Sequence, residues 1–340
     1  MTEERGPSKA GSRITCPIAT AFLLLAALLP ARGAPAEEPA PSPAVTALQS
    51  LKLSGYAQVL GAFQRDEADS FSIRRARVGL SGRPARNLRF RVVADLARSS
   101  ILLDAAVEFQ PVEPAGLRAG QFLVPFSLES TTSSADLDLI NRSLTVEALA
   151  PGRDNGSAGR DIGAAAFGRL AFLEYTVGLF NGSGINRKDT DNHKDWAGRL
   201  VLRPFGGLSL GGSFYLGRES PFPEDPPARR NRMGLDASLF LSGLSIKGEY
   251  IHADTDLLSQ AGWYAQAGYF ALPDRLQAVV RYDAVDLDTA APGSGRRVFT
   301  AGLNWVIFGR TKLQANYEHH GMEGGGTWSS GFLVQLQAGF

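Results

Sequence analysis

The chain has 340 residues, with 35 lysines and arginines against 34 aspartates and glutamates, four histidines and a single cysteine. A formal charge of +1 excludes the basic excess of a nucleic-acid binder. One cysteine excludes a disulfide framework and a thiolate metal centre.

Arg5, Lys9 and Arg13 precede an apolar run from Ile18 to Leu29, and the small residues Ala34 and Ala36 follow it. This is the order of a secretory signal peptide. The run of about 12 residues is short of the ~20 that span a bilayer as a helix. Cleavage is expected after Ala34-Pro35-Ala36, making residues 1–36 a leader; Cys16 lies before the run, unlike the cysteine of a lipoprotein anchor. Removing Arg5, Lys9, Arg13, Arg32, Glu3 and Glu4 leaves 31 basic against 32 acidic residues and no cysteine. Residues 37–50, rich in Pro, Ala and Glu, read as a disordered lead-in to a body spanning 51–340. No second long apolar run follows, so a membrane role for the exported chain requires strands.

From Leu51 onward, segments of about ten residues alternate apolar and polar side chains between turn signals. Leu88, Phe90, Val92, Ala94 and Leu96 share one face, against Asn87, Arg89, Arg91 and Asp95 on the other. Ile101, Leu103, Ala105, Val107 and Phe109 oppose Asp104, Glu108 and Gln110 in the next segment. The pattern recurs at 274–284 and 311–318. It ends with Phe332, Val334, Leu336, Ala338 and Phe340 set against Gln335, Gln337 and Gly339. Further strands are expected to begin near Leu51, Ser70, Gly116, Gly159, Phe172, Asp195, Gly207, Arg230, Leu244, Gln260 and Arg297, for sixteen in all. A β-sandwich turns polar faces outward and shares one core. Sixteen apolar faces are too many for one such interior.

The connections alternate in length. Even-to-odd links such as Arg83 to Arg86, Arg169-Leu170-Ala171, Ser242-Gly243 and Gly309-Arg310 are short; odd-to-even links such as 182–194, 218–229, 254–259, 285–296 and 320–327 are polar and rich in Gly and Pro. Short periplasmic turns and longer extracellular loops are the habit of bacterial outer-membrane barrels. Only Arg98-Ser99-Ser100 departs from it. The reading is an all-β, 16-stranded antiparallel transmembrane β-barrel located in the bacterial outer membrane. Its third extracellular link, about Ser127 to Ser157, is long enough to expect function. It is expected to fold into the lumen, which is an aqueous channel in a barrel of this size.

The final strand and Phe340 resemble the terminal-Phe signature that the outer-membrane assembly machinery reads. More of the chain, from about Ser54 to Phe340, resembles the phosphate-selective porin O and P family. The residues carrying this are Phe71-Ser72-Ile73-Arg74-Arg75-Ala76-Arg77-Val78-Gly79-Leu80 and Gly120-Gln121-Phe122-Leu123-Val124-Pro125-Phe126-Ser127-Leu128-Glu129. Pro151-Gly152-Arg153-Asp154, Gly159-Arg160-Asp161 and Gly178-Leu179-Phe180-Asn181-Gly182 follow in order. The resemblance implies a homotrimeric porin, narrowed by its third loop, passing small anionic solutes such as phosphate along an arginine ladder and a lysine cluster. Lysine past the leader is confined to Lys52, Lys188, Lys194, Lys247 and Lys312. The long loop is acidic, with Glu129, Asp136, Asp138, Glu147 and Asp154 against Arg142 and Arg153. A dedicated anion filter predicts the opposite balance.

Channel-lining candidates are the polar-face arginines Arg75, Arg77, Arg89, Arg91, Arg118, Arg199, Arg203, Arg275 and Arg281. Their forked, permanently charged donors fit phosphate or carboxylate oxygens, and rows of such charge set anion preference in a pore. Lumen acids, including Asp95, Asp104, Glu108, Asp236, Glu249, Asp283 and Glu318, offer them structural partners instead. The constriction candidates are Glu129, Asp136, Asp138, Arg142, Arg153 and Asp154. No cofactor, metal or covalent chemistry is expected. His319 and His320 point to opposite faces of a strand. Two rival readings are a structural barrel with a blocked lumen and a barrel hydrolase pairing His252 or His319 with a serine on the adjacent strand. Trp196, Trp263, Trp305 and Trp328 are expected in aromatic girdles, alongside outer-membrane lipid.

Overall fold

The alternating segments become strands. In a computed structural model, residues 50–65, 68–189, 193–219, 228–323 and 329–340 are described. The predicted leader, nearly all of the lead-in, Gly324-Gly325-Gly326 and Trp328 lie outside these residues. The first half of the wall is β1 (Lys52–Gln64), β2 (Ser70–Ala85), β3 (Leu88–Asp95), β4 (Leu102–Val112), β5 (Ala115–Leu123), β6 (Arg160–Leu170), β7 (Leu173–Phe180) and β8 (Asp195–Leu202). The second half is β9 (Leu208–Glu219), β10 (Ala228–Leu241), β11 (Leu244–Thr255), β12 (Ser259–Leu272), β13 (Leu276–Asp286), β14 (Gly295–Phe308), β15 (Thr311–Met322) and β16 (Ser329–Gly339). Each strand pairs antiparallel with the next, and β1 closes the ring on β16, from Tyr56 opposite Gly339 to Gln64 opposite Gly331.

Burial follows the predicted parity, with the sense of a membrane barrel. Along β16, Phe332, Leu336 and Phe340 are exposed by 46, 48 and 72 %, while Gln335 and Gln337 are buried at 1 and 0 %. The greasy side chains therefore face out and the amides face in. The inward amides form rows across neighbouring strands: Gln337 accepts from Gln58 at 2.6 Å, and Gln335 donates to Gln314 at 3.0 Å. Trp196, Trp263 and Trp305 stand exposed on the outward side, where the girdle reading placed them.

Six register shifts interrupt the pairing among the described residues, and two of them, in β2 and β4, displace side chains that matter to the interior. Gln58 faces Arg75 but Val59 faces Ile73, so Arg74 is an extra residue in β2. Val93 faces Asp104 but Ala94 faces Leu102, so Leu103 is extra in β4. The sequence placed Leu103 on the outward apolar face; it is instead fully buried with Val93 and Ile185. An inserted residue breaks the period of two, and parity cannot be read through it.

The third outer link runs from 124 to 159. It contains two short helical turns, α1 (Leu128–Thr131) and α2 (Leu144–Leu149). Both start at a serine: Ser127 Oγ accepts from Ser130 N at 3.0 Å, and Ser143 Oγ from Val146 N at 3.4 Å. Such caps satisfy backbone donors that a helix start leaves unpaired. Phe126, Val146, Leu149 and Ala150 of this link form a small apolar core with Ile251, Ala253, Tyr264 and Val285. These wall residues share the inward face with Glu249 and Asp283. The link thus packs on the inner side of the wall.

The sidedness is testable at the middle of β16. Val334→Arg puts a charge on the lipid face and should cost about 2–4 kcal/mol of folding free energy in bilayers. Denaturant unfolding from lipid vesicles measures it; a cost near zero would mean that this face does not meet hydrocarbon.

Candidate functional site: the barrel interior

The link between β5 and β6 is fastened to one side of the wall by its acids and its backbone. Asp138 pairs with Lys247 of β11 at 2.5 Å and accepts from Gln266 of β12 at 2.7 Å. Asp154 takes Arg230 and Arg232 of β10 at 2.6 and 3.2 Å. Asp136 meets Arg310 at 2.9 Å. Glu129, buried, pairs with Arg281 of β13 at 3.3 Å and accepts from Ser143 N at 2.7 Å. Burial pushes the Glu129 carboxyl above its ordinary range, against the pull of Arg281 and Arg142. In return the wall supplies carboxylates to the link: Glu249 accepts from Leu128 N and Glu129 N at 2.9 and 2.7 Å, and Asp283 from Leu144 N at 3.1 Å. Asn141 ties this side to the other, donating to Glu318 at 2.9 Å and accepting from Arg74 at 2.6 Å.

Wall glycines make the seats. A Cβ at Gly302 would lie 2.6 Å from Leu139 Cδ2, and one at Gly262 would lie 2.8 Å from Thr145 Oγ1. Both positions need the absent side chain for the link to approach so closely.

The arginines of the link face the other way. Arg142 donates to the carbonyls of Glu129 and Thr132, the latter at 2.7 Å; Arg153 donates to Ser130 Oγ at 2.9 Å and pairs with Glu147 at 3.2 Å. Burial, with Arg142 adding to it, brings the Arg153 guanidinium down to about 9. It remains charged at neutral pH. Across from these two stands the β2–β5 wall. Arg77 pairs with Asp95 at 2.9 Å, Arg91 with Asp104 at 3.4 Å and Arg118 with Glu108 at 2.8 Å. Arg160 pairs with Asp104 at 2.6 Å.

Between the link and this wall lies a cavity of about 370 Å³, bordered by seven arginines but only two acids, Asp104 and Glu108. Ser and Thr hydroxyls of residues 131–134 complete its rim. A cavity of about 190 Å³ adjoins it toward the outer side, sharing Arg77, Arg153 and Arg160 and adding Arg75 and Arg98. Toward the periplasmic turns, one of about 450 Å³ shares Arg118, Thr131 and Thr132 and reaches Arg199 and Arg203. The last, of about 630 Å³, shares Glu174, Tyr175 and Thr176 and ends at Arg89 and Arg169. The four follow one another down one side of the interior.

The sequence pattern of the family described as phosphate-selective porin O and P matches residues 54–222. The chain is an outer-membrane porin of this family. OmpF of Salmonella typhi, solved in complex with daunomycin, superimposes with a TM-score of 0.66 at 10% identity, over 85% of this chain and 97% of that one. OmpT of Vibrio cholerae in its trimer form gives 0.60 at 12% identity, over 86% and 99%. A mutant Rh. blastica porin gives 0.55 at 13% identity, over 85% and 100%. At these identities the likeness is one of fold. No curated protein matches.

The predicted arginines of the porin divide into three groups. Arg75, Arg77, Arg89, Arg91, Arg118, Arg199 and Arg203 border the cavities. Arg281 is 2 % exposed, closed in by Asp283 at 2.7 Å and by Glu129 of the link. Arg275 precedes β13, in the 273–275 turn, and is exposed. It was assigned to the polar strand face, but Pro273 and Asp274 place it in the turn, with Asp274 in the left-handed region at φ 56. Of the constriction candidates, Arg142 and Arg153 border the central cavity, while Glu129, Asp136, Asp138 and Asp154 are wall anchors. The sequence reading missed Arg74, Arg160, Arg230 and Arg232. Arg230, Arg232 and Asp236 share a parity that was open to view; Arg74 was hidden by the bulge.

The histidines separate as expected. His320 faces in, 3.2 Å from Glu318, and His319 faces out, 2.8 Å from Ser330 Oγ. Ser330 also accepts from Tyr317 at 3.1 Å, so its hydroxyl is engaged on two sides. His252 faces out between Met233 and Ala261, with no serine opposite it on either neighbouring strand.

The glycine seats generate a prediction. Gly302→Val should push Leu139 and its link off the β14 wall toward the arginine side, reducing single-channel conductance by about half or more while the barrel still folds. Conductance equal to that of the parent porin would show that the link can yield at this seat.

Proposed function

We propose that this porin is a passive channel for small hydrophilic anions, which travel between the third loop and the β1–β8 wall. The observation that carries the reading is the central cavity, with seven arginines against two acids. Guanidinium groups offer paired N–H donors to phosphate or carboxylate oxygens, and several in succession let an anion pass from one to the next. The ion pairs with Asp95, Asp104 and Glu108 hold the arginines in place while leaving a positive excess. Residues 124–159 act as the constriction in this reading, and the family's own description supplies phosphate as the first solute to try. A homotrimer is proposed on the same footing, with the trimer form of OmpT as the precedent among the similar folds.

The test is conductance of the refolded porin in a planar bilayer under a KCl gradient, with phosphate then added. Stepwise openings with an anion-favouring reversal potential, blocked by millimolar phosphate, are expected. Arg89→Gln with Arg91→Gln should reduce the anion-to-cation permeability ratio severalfold. Folding should survive, because the Arg91 side chain is 66% exposed and its partner Asp104 keeps Arg160. Unaltered selectivity in this double variant would put the two side chains outside the path. A silent bilayer would instead favour a barrel with a blocked lumen.

A further inference from the structure

The outward face of the barrel carries a groove that the channel does not use. On β8, β9 and β10, Trp196, Leu216 and Asn231 stand opposite one another in one row. Two residues nearer the outer rim, Arg218 of β9 is directly opposite Arg229 of β10. The spacing along a strand puts this row about 7 Å above the first. Lys194, two residues before Trp196, flanks it, and Lys194, Leu216, Arg218, Arg229, Asn231 and Asp256 border a cavity of about 510 Å³ beside Trp196. Gly217 and Arg230, the neighbours of opposite parity, face the interior. The groove therefore opens to the membrane side of the wall.

Two like charges directly opposite on paired strands repel. Asp256 relieves Arg229, with its carboxylate 3.5 Å from Arg229 Nε and 2.8 Å from Arg229 N. Lys194 has Asp189. The Arg218 guanidinium has no ion pair among the described residues, although it is exposed beside another arginine. Below the cations the surface is apolar: Trp196, Leu216 and Met233 are 45, 49 and 65 % exposed. Cations over an apolar strip match a molecule with an anionic head and hydrocarbon tails.

We propose that the groove seats the phosphate of an anionic outer-leaflet lipid between Arg218, Arg229 and Lys194, with its acyl chains along Trp196, Leu216 and Met233. The phosphate supplies the counter-charge that Arg218 lacks among the described residues, and the tails cover the strip beneath. The site is independent of what the channel conducts, since it opens on the other face of the wall.

Native mass spectrometry of the full-length porin in an uncharged detergent tests this, with diphosphorylated lipid A and its dephosphorylated form as probes. The parent protein should retain the phosphorylated lipid in preference to the other. Arg218→Gln with Arg229→Gln should weaken that retention roughly tenfold, and leave conductance and reversal potential in a bilayer unchanged. Arg218→Lys with Arg229→Lys, which keeps the charge, should restore most of it, and provides the comparison if the glutamine variant does not fold. Equal retention of the two lipids, or no loss in the glutamine variant, would overturn the proposal. So would inorganic phosphate displacing the lipid at concentrations near its own binding, which would mark a solute site.

Discussion

In hydrocarbon, a backbone amide without a hydrogen-bond partner costs several kcal/mol, so a chain that crosses as strands must return to itself. The β1–β16 pairing meets that demand, and the rest of the structure follows from it. Closing sixteen strands fixes a ring too wide for its own inward side chains to fill. The chain fills part of the space by other means. Short inward amides cross-link along β1, β13, β14, β15 and β16, and the 124–159 link occupies the region against β9–β15. What remains open lies on the opposite side.

This division explains the charge of the third loop. Its acidic balance ran against an anion path when only the sequence was considered. In the structure Glu129, Asp138 and Asp154 are turned to the occupied side, where Arg281, Lys247, Arg230 and Arg232 meet them, while Asp136 holds Arg310 and Glu147 pairs with Arg153. Arg142 and Arg153 are left toward the cavity, facing Arg77, Arg91 and Arg118. A count of charges along the loop adds two populations that face different surroundings. The local field belongs to the side that solute meets, and low-dielectric walls concentrate it.

Much of this was legible because lipid enforces the signal. An outward side chain in a membrane barrel must be apolar, so the period of two survives along almost every strand, and link lengths then fix which end is which. Sixteen strands, the outward Phe332 and Leu336 and the inward Gln335 and Gln337 could all be read that way. The bulges at Arg74 and Leu103 could not, since one inserted residue inverts the parity without altering composition. Partnerships were also out of reach. Glu129 with Arg281 and Asp154 with Arg230 join residues far apart in sequence, and no local pattern selects one lumen acid over another. The small loop core went unread for a related reason: Phe126, Val146 and Leu149 carry no alternation to mark them.

The anchoring of the third loop also sets an order on the making of the molecule. Asn141 reaches Glu318 across 177 residues, Leu137 takes the amine of Lys312 across 175, and Leu128 reaches Glu249 across 121. None of these partners exists as a surface until the C-terminal strands are in place. The loop is translated and translocated early, yet its resting place is built last. A barrel still growing thus holds thirty-odd residues, with three buried leucines among them, that have nowhere to go. Sheltering that segment until β15 arrives is work for whatever assembles the barrel, and the bore takes its final shape only when the wall is nearly whole.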